Sequence, residues 1–423
     1  MRAIAQDRKK HYVTQFSDLN LIAPLQQALR EEGYDTPTAI QIKAIPHLIE
    51  GRDLLGLAQT GTGKTAAFAL PMLQRLAASQ TRAAPTSARA LILTPTRELA
   101  VQIGQSIRTY GRHLKLRSTL VFGGVGQGPQ VQAMARGVDI LIATPGRLLD
   151  LMNQKRVNLK SVEILVLDEA DRMLDLGFIL QIRRIVATMP AQRQTALFSA
   201  TMPKDIAELA ASVQRDPVRV EATPPSSTVE LIDQRVLFVE KDDKRALLCN
   251  LLTDGAFKRA LIFARTKRGA DRVAQLLVKS GVSVGAIHGD KSQGARQAAL
   301  EGFRAGKVRV LVATDIAARG IDVDGITHVI NYELPDTPES YVHRIGRTAR
   351  AGASGIALSF CDEGETDQLR AIEKLTKQIV PADETHAYHA PRVARLREGK
   401  RPVAAKPKQG NRRPFSRNFR KAA

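Results

Sequence analysis

Short apolar runs alternate with amphipathic segments along most of the chain. Each run ends in a polar loop, and apolar positions with helical spacing follow the loop. This alternation predicts an α/β fold with parallel sheets, whose ligand-facing loops lie at the carboxyl edge. The predicted strands cover residues 54–57, 90–93, 118–122, 139–143, 164–167, 194–198, 260–263, 284–287, 308–312, 328–331 and 355–360.

Helix signals and a break in the pattern divide the chain into domains. Thr38 is placed as an N-cap for a helix over 39–49, and a second clear helix is predicted over 366–376. The Pro- and Ser-rich stretch ATPPSST has no apolar period and predicts a linker, after which the strand–helix alternation restarts. The predicted organisation is an extension (1–13), a first domain (14–223), a linker (224–228), a second domain (229–375) and a basic disordered tail (376–423).

Composition restricts the classes of protein that fit. The chain has 423 residues, of which 43% are hydrophobic and 25% charged, enough to bury substantial cores. We expect no membrane span, because no apolar run approaches the required length, and no secretory signal, because the N-terminus lacks an apolar region. Two widely separated thiols, Cys249 and Cys361, are typical of a reduced, cytoplasmic protein.

Positive charge is concentrated at the C-terminus. The net charge is +21, and residues 391–423 contain twelve Lys and Arg against one acid. Such a segment predicts disorder and a polyanionic partner, of which nucleic acid is the obvious one. The alternative is a tail that only increases solubility.

The segment AQTGTGKT predicts a phosphate-binding loop between a strand and a helix. Gly61 and Gly63 allow successive N–H groups to turn inward, Lys64 reaches the β- and γ-phosphate oxygens, and Thr65 offers a hydroxyl to Mg²⁺. The usual first glycine is replaced by Ala58, so a glycine-rich turn before a surface helix is the alternative. The loop as a whole contains Ala58, Gln59, Thr60, Gly61, Thr62, Gly63, Lys64 and Thr65.

Acidic residues follow the strand predicted over 164–167. Asp168 at this strand end is placed to hold Mg²⁺ beside the phosphate loop. Glu169 is placed to orient and deprotonate a water that attacks the γ-phosphate. The alternative is that these acids only cap the next helix.

Eight motifs in a fixed order make residues 14–375 similar to the DEAD-box RNA helicases. They are AQTGTGKT (58–65), PTRELA (95–100), TPGR (144–147), DEAD (168–171), SAT (199–201), LIFART (261–266), ATDIAARGID (313–322) and HRIGRTAR (343–350). From His288 onward, KSQGAR and SGIALSF resemble the bacterial RhlE-type subgroup most. The resemblance implies two tandem RecA-like domains of the P-loop NTPase class, helicase superfamily 2.

The resemblance also assigns the nucleotide contacts. GYDTPTAIQ (33–41), which includes Thr36, matches the adenine-recognition motif, with Gln41 pairing to the base and Phe16 stacking on it. The alternative for both is ordinary packing, with Phe16 as a core anchor. Asp322 would bind the ribose hydroxyls.

Two arginines of HRIGRTAR match those that reach the γ-phosphate from the second domain. Their spacing of three places Arg347 and Arg350 on one helical face. Ala349 replaces a glycine common in the family, a mild change if that residue is helical. The remaining implied roles couple hydrolysis to strand separation and involve Asp171, Ser199, Thr201 and His343. Ser199 and Thr201 would hydrogen-bond the DEAD loop, and His343 would contact its acids.

The RNA contacts implied by the resemblance come from loops with arginines, hydroxyls and glycine N–H groups, which bind phosphate and sugar rather than bases. Few aromatic residues and no Trp argue against a base-stacking platform. These residues are Pro95, Thr96, Arg97, Gly123, Gly124, Thr144 and Arg147 in the first domain, and Arg296, Thr314 and Arg319 in the second.

The expected function is ATP-dependent RNA unwinding with ATP and Mg²⁺ by a cytoplasmic, monomeric protein. An RNA clamp or annealer latched by ATP is one alternative, and a DNA translocase is the other. Ribosome assembly, RNA decay and cold adaptation all suit such an enzyme, with ribosomal precursors or the RNA-decay machinery as candidate partners. The sequence does not distinguish these roles.

Overall fold

The computed structural model describes residues 14–59, 61–79, 81–222, 232–253, 257–318, 323, 325–349 and 354–397. They form two α/β domains, each around one parallel sheet. None of the helices in these ranges combines the length and the apolar character needed to cross a bilayer.

Seven parallel strands form the sheet of the first domain, in the order β3-β4-β2-β5-β6-β1-β7. Alternate side chains of a strand point to opposite faces, so Ile92 packs in one core and Leu91 and Leu93 in another. The strands are β1 (Leu54–Leu57), β2 (Ala88–Leu93), β3 (Ser118–Val121), β4 (Val138–Ala143), β5 (Ile164–Leu167), β6 (Gln194–Ser199) and β7 (Val218–Glu221).

Helices cover both faces of this sheet, and a 3-10 helix (Phe16–Leu19) precedes them. They are α1 (Ala23–Glu31), α2 (Ala39–Ile49), α3 (Lys64–Ala78), α4 (Arg97–Tyr110), α5 (Gly128–Ala135), α6 (Pro145–Asn153), α7 (Ala170–Asp175), α8 (Ile179–Val186) and α9 (Lys204–Val213).

The second domain has six parallel strands in the order β10-β11-β9-β12-β13-β8. They are β8 (Ile232–Phe238), β9 (Ala260–Phe263), β10 (Val284–Ile287), β11 (Val310–Ala313), β12 (His328–Asn331) and β13 (Gly355–Cys361). A 3-10 helix spans Glu363–Glu365, and the helices are α10 (Lys244–Thr253), α11 (Lys267–Lys279), α12 (Gln293–Arg304), α13 (Asp315–Ala318), α14 (Pro338–Ile345), α15 (Thr366–Thr376) and α16 (Pro391–Arg397).

The alternating pattern correctly predicted eleven strands and both named helices, with ends that shift by at most two residues. Strands β7 and β8 were not predicted, because charged and amide side chains interrupt their short apolar pattern. Both lie at sheet edges, where one side of a strand meets less of the core. The extension 1–13 and the linker 224–228 lie outside the described residues.

The prediction of a disordered tail from 376 onward is wrong for residues 376–397. The Val236 N–H of edge strand β8 donates to the Pro381 carbonyl at 2.8 Å, and the Ala390 N–H donates to the Phe238 carbonyl at 3.0 Å. Val380, Ala390 and Val393 are buried in the core of this domain. The segment covers the edge of β8, and its irregular apolar spacing gave no periodic signal. The rest of the tail lies outside the described residues.

Candidate active site

The phosphate loop connects the end of β1 to the start of α3, as predicted. Gly61 and Gly63 have φ angles of +84° and +92°, which L side chains rarely adopt. A Cβ on Gly63 would lie 2.5 Å from Gln41 Nε2. Position 58 does not require a glycine. The Ala58 N–H donates to the Ser199 carbonyl at 3.0 Å, and the alanine side chain is buried. Thr60 lies outside the described residues.

Two buried polar atoms of opposite charge at this loop have no hydrogen-bond partner among the described residues. They are Lys64 Nζ at the start of α3 and Asp168 Oδ1 at the end of β5. Leaving such groups unpaired costs about 1–3 kcal/mol each, so they indicate a place for a charged ligand. Burial raises the pKa of the Asp168 carboxyl to about 7, although the charge of Lys64 opposes the shift.

Glu169 sits next to this pair in a strained backbone conformation. Its φ and ψ of 54° and 56° are left-handed, and its side chain is buried. Holding a non-glycine residue there costs on the order of 1–3 kcal/mol, and such strain concentrates at functional sites. The strand end thus carries two adjacent buried carboxylates, at Asp168 and Glu169.

The segment predicted to recognise adenine is tied to the phosphate loop through Gln41. The Thr38 N–H donates to Gln41 Oε1 at 2.8 Å, and Gln41 Nε2 donates to the Gly63 carbonyl at 3.1 Å. Each amide atom keeps a second lone pair or proton for a base. Thr36 is exposed, whereas Phe16 is only 6% exposed and packs in the core, which agrees with the alternative of a core anchor.

The predicted bonds between SAT and the DEAD loop are confirmed. Asp171 Oδ2 accepts from the Ala200 N–H at 3.1 Å, the Thr201 N–H at 2.9 Å and the Thr201 hydroxyl at 3.0 Å. The Ser199 hydroxyl accepts from the Asp171 N–H at 3.2 Å and donates to the Thr201 carbonyl at 2.7 Å. The loops after β5 and β6 are therefore locked together.

The prediction that Arg347 lies on a helical face is wrong. Helix α14 ends at Ile345, with Gly346 as its C-cap, and Arg347 follows in a turn with its Nε donating to the His343 carbonyl at 3.3 Å. Ala349 is not helical either, because its φ is +52°. Arg350 and Asp322 lie outside the described residues, and the contact of His343 with the DEAD acids stays a prediction.

An ion pair formed by a buried arginine, which the sequence did not reveal, supports this turn. Arg344 is 1% exposed, and its Nε and Nη2 donate to the two carboxylate oxygens of Asp315 at 2.6 and 2.7 Å. Its Nη1 donates to Asn331 Oδ1 at 3.1 Å and to the Glu333 carbonyl at 2.6 Å. Asp315 belongs to ATDIAARGID and Arg344 to HRIGRTAR, but no sequence pattern predicted that they form an ion pair.

The loops after β2, β3 and β4 bring the predicted RNA residues of the first domain together. The Arg97 guanidinium covers Gly124, where a Cβ would lie 1.9 Å from Nη1. Both terminal nitrogens of Arg147 donate to the Val125 carbonyl at 3.2 Å. Thr96 and Thr144 are the N-caps of α4 and α6, and Pro95 and Gly123 lie in the same loops.

Arg296 of the second domain joins this cluster. Burial lowers the pKa of the Arg97 guanidinium, and the nearby charges of Arg296 and Arg147 lower it further, while Glu98 opposes them. Mutually repelling arginines of this kind provide an anion site. Thr314 lies buried just after β11, and Arg319 lies outside the described residues.

Two residues missed by sequence reasoning connect the domains at this cluster. Arg296 Nη2 lies 2.9 Å from Glu98 Oε1, and Gln293 Nε2 donates to the same oxygen at 3.2 Å. Arg97 Nη1 donates to Gln293 Oε1 at 3.5 Å. Glu98 and Gln293 stand inside PTRELA and KSQGAR, so proximity to those motifs was the available signal.

The phosphate loop, the buried acids and the neighbouring arginine cluster define a nucleoside triphosphatase with two tandem RecA-like domains. Comparison with family models agrees: residues 38–209 match the DEAD/DEAH box helicase model and residues 243–352 match the helicase conserved C-terminal domain.

Similar proteins narrow the class. ATP-dependent RNA helicase RhlB of Pseudomonas syringae is 45% identical over 376 residues, covering 86% of this chain and 94% of that one. DEAD-box ATP-dependent RNA helicase CshA of Bacillus cereus is 42% identical over 366 residues, covering 86% and 69%. Saccharomyces cerevisiae Dbp5 bound to RNA and ADP BeF3 is 31% identical with a TM-score of 0.79, over 91% and 99%. The chain belongs to the DEAD-box ATP-dependent RNA helicases, which hydrolyse ATP.

Proposed function

We propose that this helicase uses RNA-stimulated ATP hydrolysis to separate short duplexes locally or to remodel RNA–protein complexes. The bonds of Asp171 to Ala200 and Thr201 support this proposal most directly. They join the strand end that carries the acids to the neighbouring loop, so a change at the nucleotide can move both loops together.

In this proposal the phosphate loop binds the triphosphate and Gln41 recognises the adenine. Lys64 contacts the β- and γ-phosphate oxygens, and Asp322 holds the ribose. Thr65 and Asp168 offer a hydroxyl and a carboxylate, the hard oxygen ligands that suit Mg²⁺, and the unpaired Asp168 Oδ1 fits that role. Bound Mg²⁺ would neutralise charge on the β- and γ-phosphate oxygens.

Hydrolysis then depends on residues from both domains. Glu169 orients the attacking water and accepts its proton, and its buried position keeps bulk water from competing. Arg347 and Arg350 stabilise the charge that develops on the γ-phosphate. The bonds of Arg344 to Asp315 fix the end of α14, and so the start of the turn that carries Arg347.

The arginine cluster of Arg97, Arg147 and Arg296 grips RNA phosphates, and the glycine loops allow a close approach of the backbone. Because the cluster includes residues of both domains, closure of the domains around ATP would bend the bound strand. The similar structure of Saccharomyces cerevisiae Dbp5 is bound to RNA, which supports RNA as the ligand of this helicase. The basic tail provides a further, sequence-independent attachment to RNA.

The finer assignments are also proposals. We infer an RhlE-type helicase from the segment beginning at His288, although the relatives described above are RhlB and CshA. We further propose a monomeric, cytoplasmic enzyme that acts on ribosomal precursors or with the RNA-decay machinery. Sedimentation of the purified protein tests the monomeric state, and a stable oligomer would contradict it. Crosslinking of bound RNAs in cells tests the pathway, and recovery of RNAs from neither pathway would contradict it. Fractionation of cells tests the cytoplasmic location, and recovery with the membrane fraction would contradict it.

The decisive experiment replaces Glu169 with Gln. The amide cannot accept a proton, so we expect RNA-stimulated kcat to fall about 10²-fold or more, while ATP affinity stays within about threefold because the side chain remains isosteric. Multiple-turnover phosphate release and nucleotide titration measure the two effects.

The matched control is Asp175→Asn, an exposed acid at the end of α7, the helix that follows Glu169, which should leave both values unchanged. Near wild-type turnover in Glu169→Gln would contradict the assignment. Wild-type protein that binds ATP and RNA but completes a single turnover would favour the ATP-latched clamp.

A further inference from the structure

The first domain contains a cavity of about 560 Å³ at the edge of the sheet opposite the phosphate loop. It lies between the end of α3, the start of β2 and the segment that leads into β3. Arg89 lines it at the amino end of β2, whereas the RNA loop 95–97 follows the carboxyl end. The intervening strand is about 20 Å long, so the cavity is separate from the RNA face.

A buried arginine lines this cavity. Arg89 is 2% exposed, with its Nε donating to Glu163 Oε1 at 2.8 Å and its Nη1 donating to the Leu76 carbonyl at 3.2 Å. Its Nη2 has no hydrogen-bond partner within the described ranges. A buried guanidinium nitrogen is rarely left unpaired, so this atom indicates an acceptor that the protein itself does not supply.

The one carboxylate among the residues that line the cavity is already in use. Asp139 Oδ2 accepts from the Arg117 N–H at 2.8 Å, and Oδ1 lies 3.5 Å from Arg89 Nη1. The imidazole of His113 is likewise paired, at 3.0 Å from Glu31. Neither group neutralises the cations at the mouth of the cavity.

Three exposed cations line this mouth: Arg82, Lys115 and Arg117. None of their side chains forms an ion pair or hydrogen bond with another described residue. By contrast, the neighbouring Arg112 pairs with Glu31 at 3.2 Å. Unpaired cations gathered around a concavity concentrate anions, and a phosphate group is an anion that such donors bind strongly.

The remaining lining groups suit the rest of a small ligand. The side chains of Leu76, Leu114 and Leu116 give the cavity apolar walls, and the hydroxyls of Ser79 and Thr81 lie 2.8 Å apart on the same segment. Its volume falls within the range of small-molecule sites, whereas RNA is usually held along an open groove.

We propose that this cavity binds a small phosphorylated compound of mononucleotide size, at a site separate from both the phosphate loop and the arginine cluster proposed to bind RNA. Arg82, Lys115 and Arg117 contact its phosphate, Arg89 supplies the buried donor and the leucines pack against the remainder. The ligand would touch the end of α3, the helix that begins at Lys64 of the phosphate loop.

The test uses the full chain with its ATP site saturated by ADP and Mg²⁺, and guanosine 5′-monophosphate as the probe. We expect calorimetry to show binding with a Kd below about 1 mM, and guanosine without its phosphate not to bind. The double variant Arg82→Ala/Arg117→Ala should weaken the binding about tenfold or more. Both residues are exposed, so the fold should persist, which the Tm checks.

The matched control is Arg136→Ala/Lys160→Ala, which removes two exposed cations outside the cavity and should leave the Kd within about twofold. Equal weakening by the control pair would reduce the effect to net charge and overturn the proposal. So would the absence of binding, equal binding of guanosine, or displacement of the probe by a short RNA.

Discussion

Backbone conformation at single residues decides much of the chemistry of this site. Gly63 and Ala349 both have positive φ, but one is a glycine and the other is not. Gly63 has Gln41 and Thr38 against the position where a Cβ would stand, so its lack of a side chain brings the adenine segment onto the phosphate loop. Ala349 bears the strain that a glycine would avoid.

Gly63→Ala should weaken ATP binding about tenfold or more, because the left-handed backbone costs about 1–2 kcal/mol and the new methyl displaces Gln41. Titration with a fluorescent ATP analogue measures the Kd. Gly126→Ala is the control, since its Cβ meets nothing within 4 Å. Unchanged affinity of Gly63→Ala for the ATP analogue would show that the phosphate loop does not bind the triphosphate.

Ala349→Gly should raise the free energy of unfolding by about 0.5–1 kcal/mol, since relief of about 1–2 kcal/mol of strain exceeds the entropic cost of glycine. Urea denaturation measures it. Ala133→Gly, at an exposed position within α5, should lower stability by a similar amount. Loss of stability in Ala349→Gly would mean that its buried methyl matters more than its backbone strain.

At the scale of elements, the segment after α15 completes the second sheet. Strand β8 pairs with β13 on one side, and residues 381–390 cover its other side. Helix α16 is then fixed by Val393, which is fully buried, and by an ion pair between Arg392 and Glu363 at 2.7 Å. The basic residues beyond it therefore start from a fixed point on the domain.

Two truncations separate the structural part of this segment from its charged part. A chain that ends at Arg397 should keep its free energy of unfolding but bind RNA more weakly and with a flatter salt dependence, because nine Lys and Arg are removed. A chain that ends at Gln378 should also lose about 3 kcal/mol or more, since two buried valines are removed.

Denaturation curves and RNA binding at several salt concentrations provide both readouts. RNA affinity that does not change after truncation at Arg397 would leave the tail with a solubilising role. Full stability after truncation at Gln378 would show that residues 379–397 do not contribute to the fold.

For the whole molecule, the contact of Glu98 with Arg296 and Gln293 links the two domains beside the residues that we propose bind RNA. Glu98 is 4% exposed and Arg296 is 9% exposed, so salt screens their attraction less than it screens surface pairs. Arg296 can either pair with Glu98 across the domains or contact RNA. We therefore expect one contact to replace the other during the ATPase cycle.

A double-mutant cycle on Glu98→Gln and Arg296→Ala should give an interaction energy of about 0.5–3 kcal/mol in kcat/KM for ATP at saturating RNA. The physical reason is that either change alone removes the same interdomain contact. Steady-state phosphate release measures it, with Lys160→Ala as a non-contacting partner. Strictly additive effects, with weaker RNA binding in Arg296→Ala alone, would make Arg296 an RNA contact without a latch role.

The sequence by itself determined eleven of the thirteen described strands, the phosphate loop and the acidic strand end, because each rests on local periodicity and loop chemistry. Residues 58–65 and 168–171 specify a nucleotide site wherever two parallel strands bring them together. The fold class followed from the same alternation, and the family from the order of its motifs.

Tertiary structure alone decided which distant groups meet. Packing within each domain brings Gln41 to Gly63 and Arg344 to Asp315, and contact between the two domains brings Glu98 to Arg296. Packing of Val393 orders a segment with no helical period of its own. Local spacing also misplaced Arg347 on a helix, because the chain leaves α14 at Gly346 to reach the sheet. Such pairings depend on three-dimensional proximity, which no local pattern in the chain encodes.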